Sequence, residues 1–215
     1  MFRFTHLVLI LPLVSTLFLQ SVQAGEGLPT TPVFLRLKKV LGPYPALGTP
    51  ESERDFQVLM EYQKKRTDAE CAAAASEEQG TFKNFFGAKT GLLTKNEERR
   101  VSLQLLHAKG AVGLDQLIGK WIYKRPRPFV TDSEIKPCIK LPKSLSYPSG
   151  HATASRAYAR LLSEMFPERA AAFMARADEI AMHRVLAGVH HPSDIEAGKR
   201  LGDAIAEHLL SESSY

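Results

Sequence analysis

Three separated fragments of this chain hold residue types that can work on a phosphate ester. Lys120 and Arg127-Pro128 come first, Pro148-Ser149-Gly150-His151 second, and Arg184, His190 and Asp194 third. Such an ester needs its non-bridging oxygens neutralised and held while the phosphorus is attacked in line, and electrostatic positioning supplies most of the catalysis. Arg127 and Arg184 offer rigid guanidinium forks for bidentate contact, and Lys120 offers a mobile point charge. Ser149 and Gly150 fall where a helix should start, so unpaired backbone N–H groups and the helix dipole favour an anion there. A glycine also lets the backbone approach an oxygen closely.

Two histidines can divide the covalent work. A neutral His190 nitrogen can attack phosphorus if its other ring N–H is held by a carboxylate, and Asp194, four residues on, is the natural holder. His151 would protonate the leaving oxygen and then activate water to cleave the phosphohistidine. Each fragment also has a plainer reading. Lys120, Lys124, Arg125 and Arg127 could form a solvated basic turn, and Ser149-Gly150-His151 a mere helix cap. His190 and His191 with Asp194 could be a metal pair, but Lys120, Arg127 and Arg184 would repel a divalent ion, so the expectation is no metal and no cofactor. His107, His183 and His208 lie outside the required spacing and read as structural or surface residues.

Helices must bring these fragments together. Thr49-Pro50-Glu51 has an N-cap candidate, proline at the first helical position and an acid in the first turn, and the apolar spacing runs on through Cys71 to Ala75. A break from Gly80 to Gly91 contains Phe82, Phe85 and Phe86, which either pack in the core or cap a pocket. Thr94-Lys95-Asn96-Glu97 is a capping-box pattern that starts a helix reaching Lys120. After Arg127-Pro128 a polar loop leads to Tyr147. Further helices are expected from Ser149 to Met165, from Pro167 to Ala187, and from Pro192 onward. No strand-like alternation is convincing, so the fold class is all-α, a single-domain helical bundle. The helix after His151 extends roughly 22 Å at 1.5 Å per residue. Its successor, packing antiparallel, returns Arg184 to His190 beside His151.

The ends of the chain bound its setting. Arg3 and His6 precede an apolar run from Leu7 to Leu19, followed by small residues at the cleavage positions, Val22-Gln23-Ala24. Residues 1–24 thus read as a secretory signal peptide, with an uncleaved anchor as the alternative. The run is short for a span of about 20 residues, so no stable membrane span is expected after cleavage, and the product belongs in the periplasm or outside the cell. Residues 25–48, rich in Pro and Gly, read as an extended lead, and residues 49–215 as the helical domain. Removing Arg3 lowers the formal net charge of +5 by one. The remaining positive balance permits anionic substrates, but no aromatic-basic interleaving points to nucleic acid. Cys71 and Cys138 form either one disulfide in an oxidising compartment or two unrelated thiols. A homo-oligomer is left open.

The three fragments, in this order, resemble the signature of the type 2 phosphatidic acid phosphatase superfamily, which also includes vanadium haloperoxidases. Among its members the chain is most similar to the bacterial class A non-specific acid phosphatases. The resemblance implies an all-helical fold and metal-independent hydrolysis of phosphomonoesters. His190 would be the nucleophile, His151 the acid and Asp194 the orienter, with Lys120, Arg127, Ser149, Gly150 and Arg184 as phosphate ligands. Substrates would be small-molecule or lipid-headgroup phosphate esters. A lipid-phosphate or undecaprenyl-pyrophosphate phosphatase using the same site is the enzymatic alternative. A non-catalytic phosphate-binding protein is disfavoured, because mere binding needs neither His151 nor Asp194. Two positions depart from the pattern: His183 where serine is common before the arginine, and His191 where an aromatic residue often follows the nucleophile. Both are expected to adjust the pocket.

Overall fold

The structure, a computed structural model, describes residues 32–212. The leader expected in residues 1–24 lies outside them. No β-strand occurs among the described residues, and none of their helices is long and apolar enough to cross a membrane.

The lead segment is less irregular than its Pro and Gly content suggests. A 3-10 turn at Val33–Arg36 runs into α1 (Leu37–Leu41), and Val33, Leu37 and Leu41 are buried at four-residue spacing. Arg200 donates to the carbonyls of Val40 and Leu41 and ties this turn down. Helix α2 (Pro50–Lys65) starts at Thr49, whose hydroxyl accepts from the Ser52 N–H. The continuous helix expected through Ala75 is interrupted. At Thr67 a capping box with Glu70 satisfies a new set of N-terminal N–H groups and starts α3 (Asp68–Ser76). Helix α4 (Phe82–Phe86) buries all three phenylalanines of the break. Thr94 and Glu97 form the expected box ahead of α5 (Lys95–Ser102). A turn at Leu103 separates it from α6 (Gln104–Tyr123), and the short α7 (Pro128–Thr131) follows.

Helix α8 (Gly150–Met165) is the centre of the bundle, packed against α6, α9 (Ala170–Leu186) and α10 (Pro192–Glu212). Its buried face is lined by small residues, among them Ala152, Ala154, Ala157 and Ala159, so neighbouring backbones come close. The contact with α10 is tightest. A Cβ on Gly198 would stand 2.7 Å from the Ser149 carbonyl oxygen, and one on Gly202 2.6 Å from that of Thr153. This approach locks the start of α10, which carries Asp194, to the start of α8, which carries His151.

A disulfide between Cys71 on α3 and Cys138 joins α3 to the loop between α7 and α8. Arg66 reinforces the junction by donating to the carbonyls of Leu186 (2.9 Å) and Lys136 (2.5 Å).

An alanine in an ordinary helix interior stabilises by about 1 kcal/mol relative to glycine. At Gly202 the sign should reverse, because the added methyl meets backbone of α8. Gly202→Ala is expected to lose about 1–3 kcal/mol in urea denaturation. A midpoint at or above that of the parent chain would show that the two helices can part without penalty.

Candidate active site

Helix α6 ends in a left-handed turn at Lys124 (φ 51°), which swings the chain back so that Arg125 and Arg127 point inward. Helix α6, the loop before α8, the start of α8 and the end of α9 with the segment that follows it then meet around a cavity of about 360 Å³. Lys120, Arg127, Gly150, His151, Arg184 and His190 all line it. Ser149 stands behind the wall: its N–H donates to the Asp194 carbonyl at 3.0 Å and its hydroxyl caps α8. Gly150 leaves room for Gln116, whose side-chain oxygen would stand 1.8 Å from a Cβ at that position and would have to move aside.

Asp194 organises the floor. It is fully buried and accepts hydrogen bonds from Arg125 Nη1 (2.7 Å), Ser146 Oγ (2.5 Å) and the His191 N–H (2.9 Å). Its Oδ2 also lies 3.1 Å from His190 Nδ1. Burial opposes ionisation of this carboxyl, but the hydrogen bonds from His190 and His191 outweigh it and hold its pKa well below the usual range.

The His190 tautomer follows from its partners. A carboxylate can only accept, so Nδ1 carries the proton. A guanidinium can only donate, so Nε2, 2.8 Å from Arg127 Nη1, carries the lone pair. Burial, then the Arg127 charge, lower the His190 pKa well below its ordinary value, with Asp194 opposing. The ring is neutral, and its lone pair lies on the nitrogen that meets Arg127.

The cations are held in different ways. Lys120 Nζ donates to the carbonyls of Leu145 (2.5 Å), Ser146 (3.2 Å) and Pro148 (2.9 Å), so it ties down the loop before α8. Burial, then Arg127, lower its pKa to about 7. Arg127 is braced by Ser144 and by the Val189 carbonyl (2.7 Å), and burial brings its pKa to about 10. Arg184 donates through Nη2 to the Ala74 carbonyl and to Glu77 (3.2 Å), while its buried Nε has no hydrogen-bond partner. An unpaired buried guanidinium N–H at a cavity wall is suited to an anion.

His151 Nε2 stands 2.9 Å from the Glu77 carbonyl, which can only accept, leaving Nδ1 for proton transfer. The Phe85 ring packs against it at 5.6 Å. Burial, then the Arg184 charge, lower its pKa to about 4, so it is neutral in an empty site near neutral pH. A second cavity of about 560 Å³ shares Gln79, Lys109 and Tyr158 with the first and adds Phe82, Leu105 and Leu106 to its lining.

Residues 102–210 match the PAP2 superfamily. The chain belongs to that family. Over 87 residues it is 41% identical to a protein named non-specific acid phosphatase from Salmonella typhimurium, covering 39% of this chain and 35% of the relative. A protein of the same name from Providencia stuartii is 35% identical over 97 residues, covering 43% and 39%. A Rhizobium etli protein named lipid A 1-phosphatase is 42% identical over 57 residues, covering 26% and 25%. The chain thus spans about a third of the length of the acid phosphatases it matches. Among solved structures, it resembles a transmembrane PAP2-type phosphatidylglycerolphosphate phosphatase from Bacillus subtilis (TM-score 0.58, 19% identity, 85% of this chain and 94% of the other). It also resembles a bacterial vanadium-dependent iodoperoxidase (TM-score 0.59, 18% identity, 83% and 54%). Both likenesses concern the fold.

In this PAP2 chain the two departures do not line the cavity. His183 lies 3.0 Å from Glu77 Oε1, and His191 lies edge-on to Phe56 with its Nδ1 3.3 Å from Asp194. Each meets a carboxylate behind it. The residues missed in the sequence are the braces behind the site. Arg125 is buried, bridging Asp194 and Asp55 (3.1 Å), where a solvated turn had been the plainer reading. Its position two residues before Arg127 was the available signal. Glu77 is 1% exposed and gathers Arg176, His183 and Arg184. It lies before the family segment begins, at the end of an alanine-rich helix, and nothing in its local sequence marks it.

An oxyanion beside His151 should favour the imidazolium and raise its pKa from about 4. Linkage then makes anion affinity rise as pH falls toward that value. Sulfate, which does not titrate in this range, is expected to bind more tightly at pH 4.5 than at pH 6.5, by roughly tenfold per unit at most. Calorimetry should find the slope flattened in His151→Gln. An unchanged slope in that variant would assign the titration to another group.

Proposed function

We propose that this chain is an exported acid phosphatase that hydrolyses phosphate monoesters through a phosphohistidine, without a metal. The observation that carries the reading is the His190 tautomer: Nδ1–H held by Asp194 at 3.1 Å, and a lone pair on Nε2 beside Arg127. An imidazole so arranged is a ready nucleophile. Export rests on the leader-like residues 1–24 alone.

A phosphate dianion entering the cavity takes the unpaired Arg184 Nε, draws Arg127 away from the His190 lone pair, and faces the first N–H groups of α8. His190 Nε2 attacks phosphorus and forms a P–N bond as the P–O bond to the leaving group breaks. The leaving oxygen takes a proton from His151, whose charged form the dianion has favoured. Neutral His151 then removes a proton from water; the hydroxyl attacks phosphorus, the P–N bond breaks, and phosphate leaves. Asp194 stabilises the positive charge that His190 carries while phosphorylated. Vanadate, which resembles the transferring phosphoryl group, should inhibit.

A second reading takes lipid phosphates as substrates. It is favoured by the apolar wall that Phe82, Leu105 and Leu106 give the adjoining cavity, which suits a hydrocarbon leaving group. Parallel hydrolysis of soluble esters and dispersed lipid phosphates separates the two.

The purified chain should hydrolyse p-nitrophenyl phosphate in EDTA, and His190→Ala should lower turnover by a factor of about a thousand or more. Retained turnover in that variant would overturn the nucleophile; EDTA-sensitive activity would point to a metal instead. Glu77→Gln keeps the volume of the side chain but removes the charge that aims Arg184. A loss of about a hundredfold in kcat/KM is expected, with circular dichroism unchanged. Full activity would make Glu77 merely structural.

A further inference from the structure

Helix α6 walls the catalytic cavity with one flank and presents bare hydrocarbon on the next. Leu103, just before it, and Leu106, Leu114, Leu117 and Trp121 recur at helical spacing, and all are exposed, Leu117 by 65% and Trp121 by 72%. The row is about 27 Å long at 1.5 Å per residue. Gly113, Gln116 and Lys120, on the adjoining flank, line the phosphate cavity, so the row borders its mouth. Across the mouth, Pro142 and Ser144 line the cavity, and their neighbours Leu141 and Leu145 are exposed as well. An exposed apolar row of this length marks an interaction surface.

The charges on the same rim select the partner. Lys109 and Lys124 are exposed on and after α6, and Lys140 and Lys143 on the opposing loop. The one acid of α6, Asp115, is buried, and the loop from Pro137 to Ser146 has none. Glu78, from the turn after α3, pairs with Lys140 at 3.3 Å. Lys124 Nζ stands 5.8 Å from the Trp121 ring centre. An isologous contact with a second copy would set these lysines against themselves. An anionic lipid surface satisfies both features: leucines enter the acyl boundary, tryptophan sits at headgroup level, and lysines meet the phosphates.

We propose that this Leu–Trp–Lys rim docks the chain onto an anionic phospholipid bilayer with the catalytic mouth facing the headgroups. Docking stands independently of the chemistry; hydrolysis at the docked mouth rests on the phosphatase reading above.

Trp121 is the chain's single tryptophan, so its fluorescence reports on the rim and not on the apolar N-terminal run. With the full chain, vesicles of phosphatidylcholine containing about 30% phosphatidylglycerol should shift its emission to the blue, and brominated lipids should quench it. High salt should weaken the response, and neutral vesicles should give little. Leu117→Ser should reduce vesicle partitioning by about tenfold while p-nitrophenyl phosphate hydrolysis stays unchanged. An unmoved emission, an equal response to neutral vesicles, or no effect of Leu117→Ser would overturn the proposal. So would a blue shift that grows with protein concentration in the absence of lipid, which would assign the face to a second copy. Docking without hydrolysis would support the surface and count against the phosphatase reading.

Discussion

A carboxylate buried at the junction of three chain segments must be surrounded by donors or it will not stay ionised, and Asp194 is such a group. Its donors come from Arg125 after α6, Ser146 before α8 and His190 at the end of α9, so satisfying one charge draws three elements to one point. The backbone takes part as well, since the Asp194 carbonyl accepts from Ser149 and joins the start of α10 to the start of α8. Remove the charge, and Arg125 is left buried with only Asp55 to answer it. The orientation of His190 is therefore a by-product of an electrostatic requirement that also holds the bundle together.

Glu77 plays the corresponding part on the opposite wall. It sets Arg184 through its carboxylate and His151 through its backbone carbonyl, so these two cavity residues share one support. That support arrives from α3, and the disulfide at Cys71 and the Arg66 bridges tie α3 to the loop before α8. Two buried acids thus stand behind a ring of cations. The cations face one cavity, where burial, and after it the charge of a neighbouring arginine, lowers the pKa values of Lys120 and His151. A bound anion would offset that charge, so in the proposed mechanism binding of a dianion and charging of His151 are coupled.

The bundle was largely legible in the sequence because its helices announce themselves locally. Thr49-Pro50, Thr94 with Glu97, and Ser149 cap helices where their side chains can reach a backbone N–H three residues on. The break at Thr67 was written in the same code, a Thr–Glu box, but the apolar spacing running past it concealed it. In the lead segment, the four-residue spacing of Val33, Leu37 and Leu41 was masked by the prolines and glycines around it. The site residues named from the three fragments line the cavity, except Ser149 and Asp194, which stand behind it. His183 and His191 turned away from it, because each had a buried carboxylate to answer.

Alone, the amino-acid sequence determined the helical class, the main caps and the set of groups able to handle a phosphate ester, since these depend on residue type and on spacings of three or four along one helix. Tertiary structure decided which nitrogen of His190 holds the lone pair, why Lys120 braces a loop, and how Glu77 and Arg125 come to stand behind the site. It also decided that Leu103, Leu106, Leu114, Leu117 and Trp121 stay exposed beside the cavity. Those outcomes depend on contacts between residues far apart in the chain, where burial and charge balance choose partners that no local pattern records.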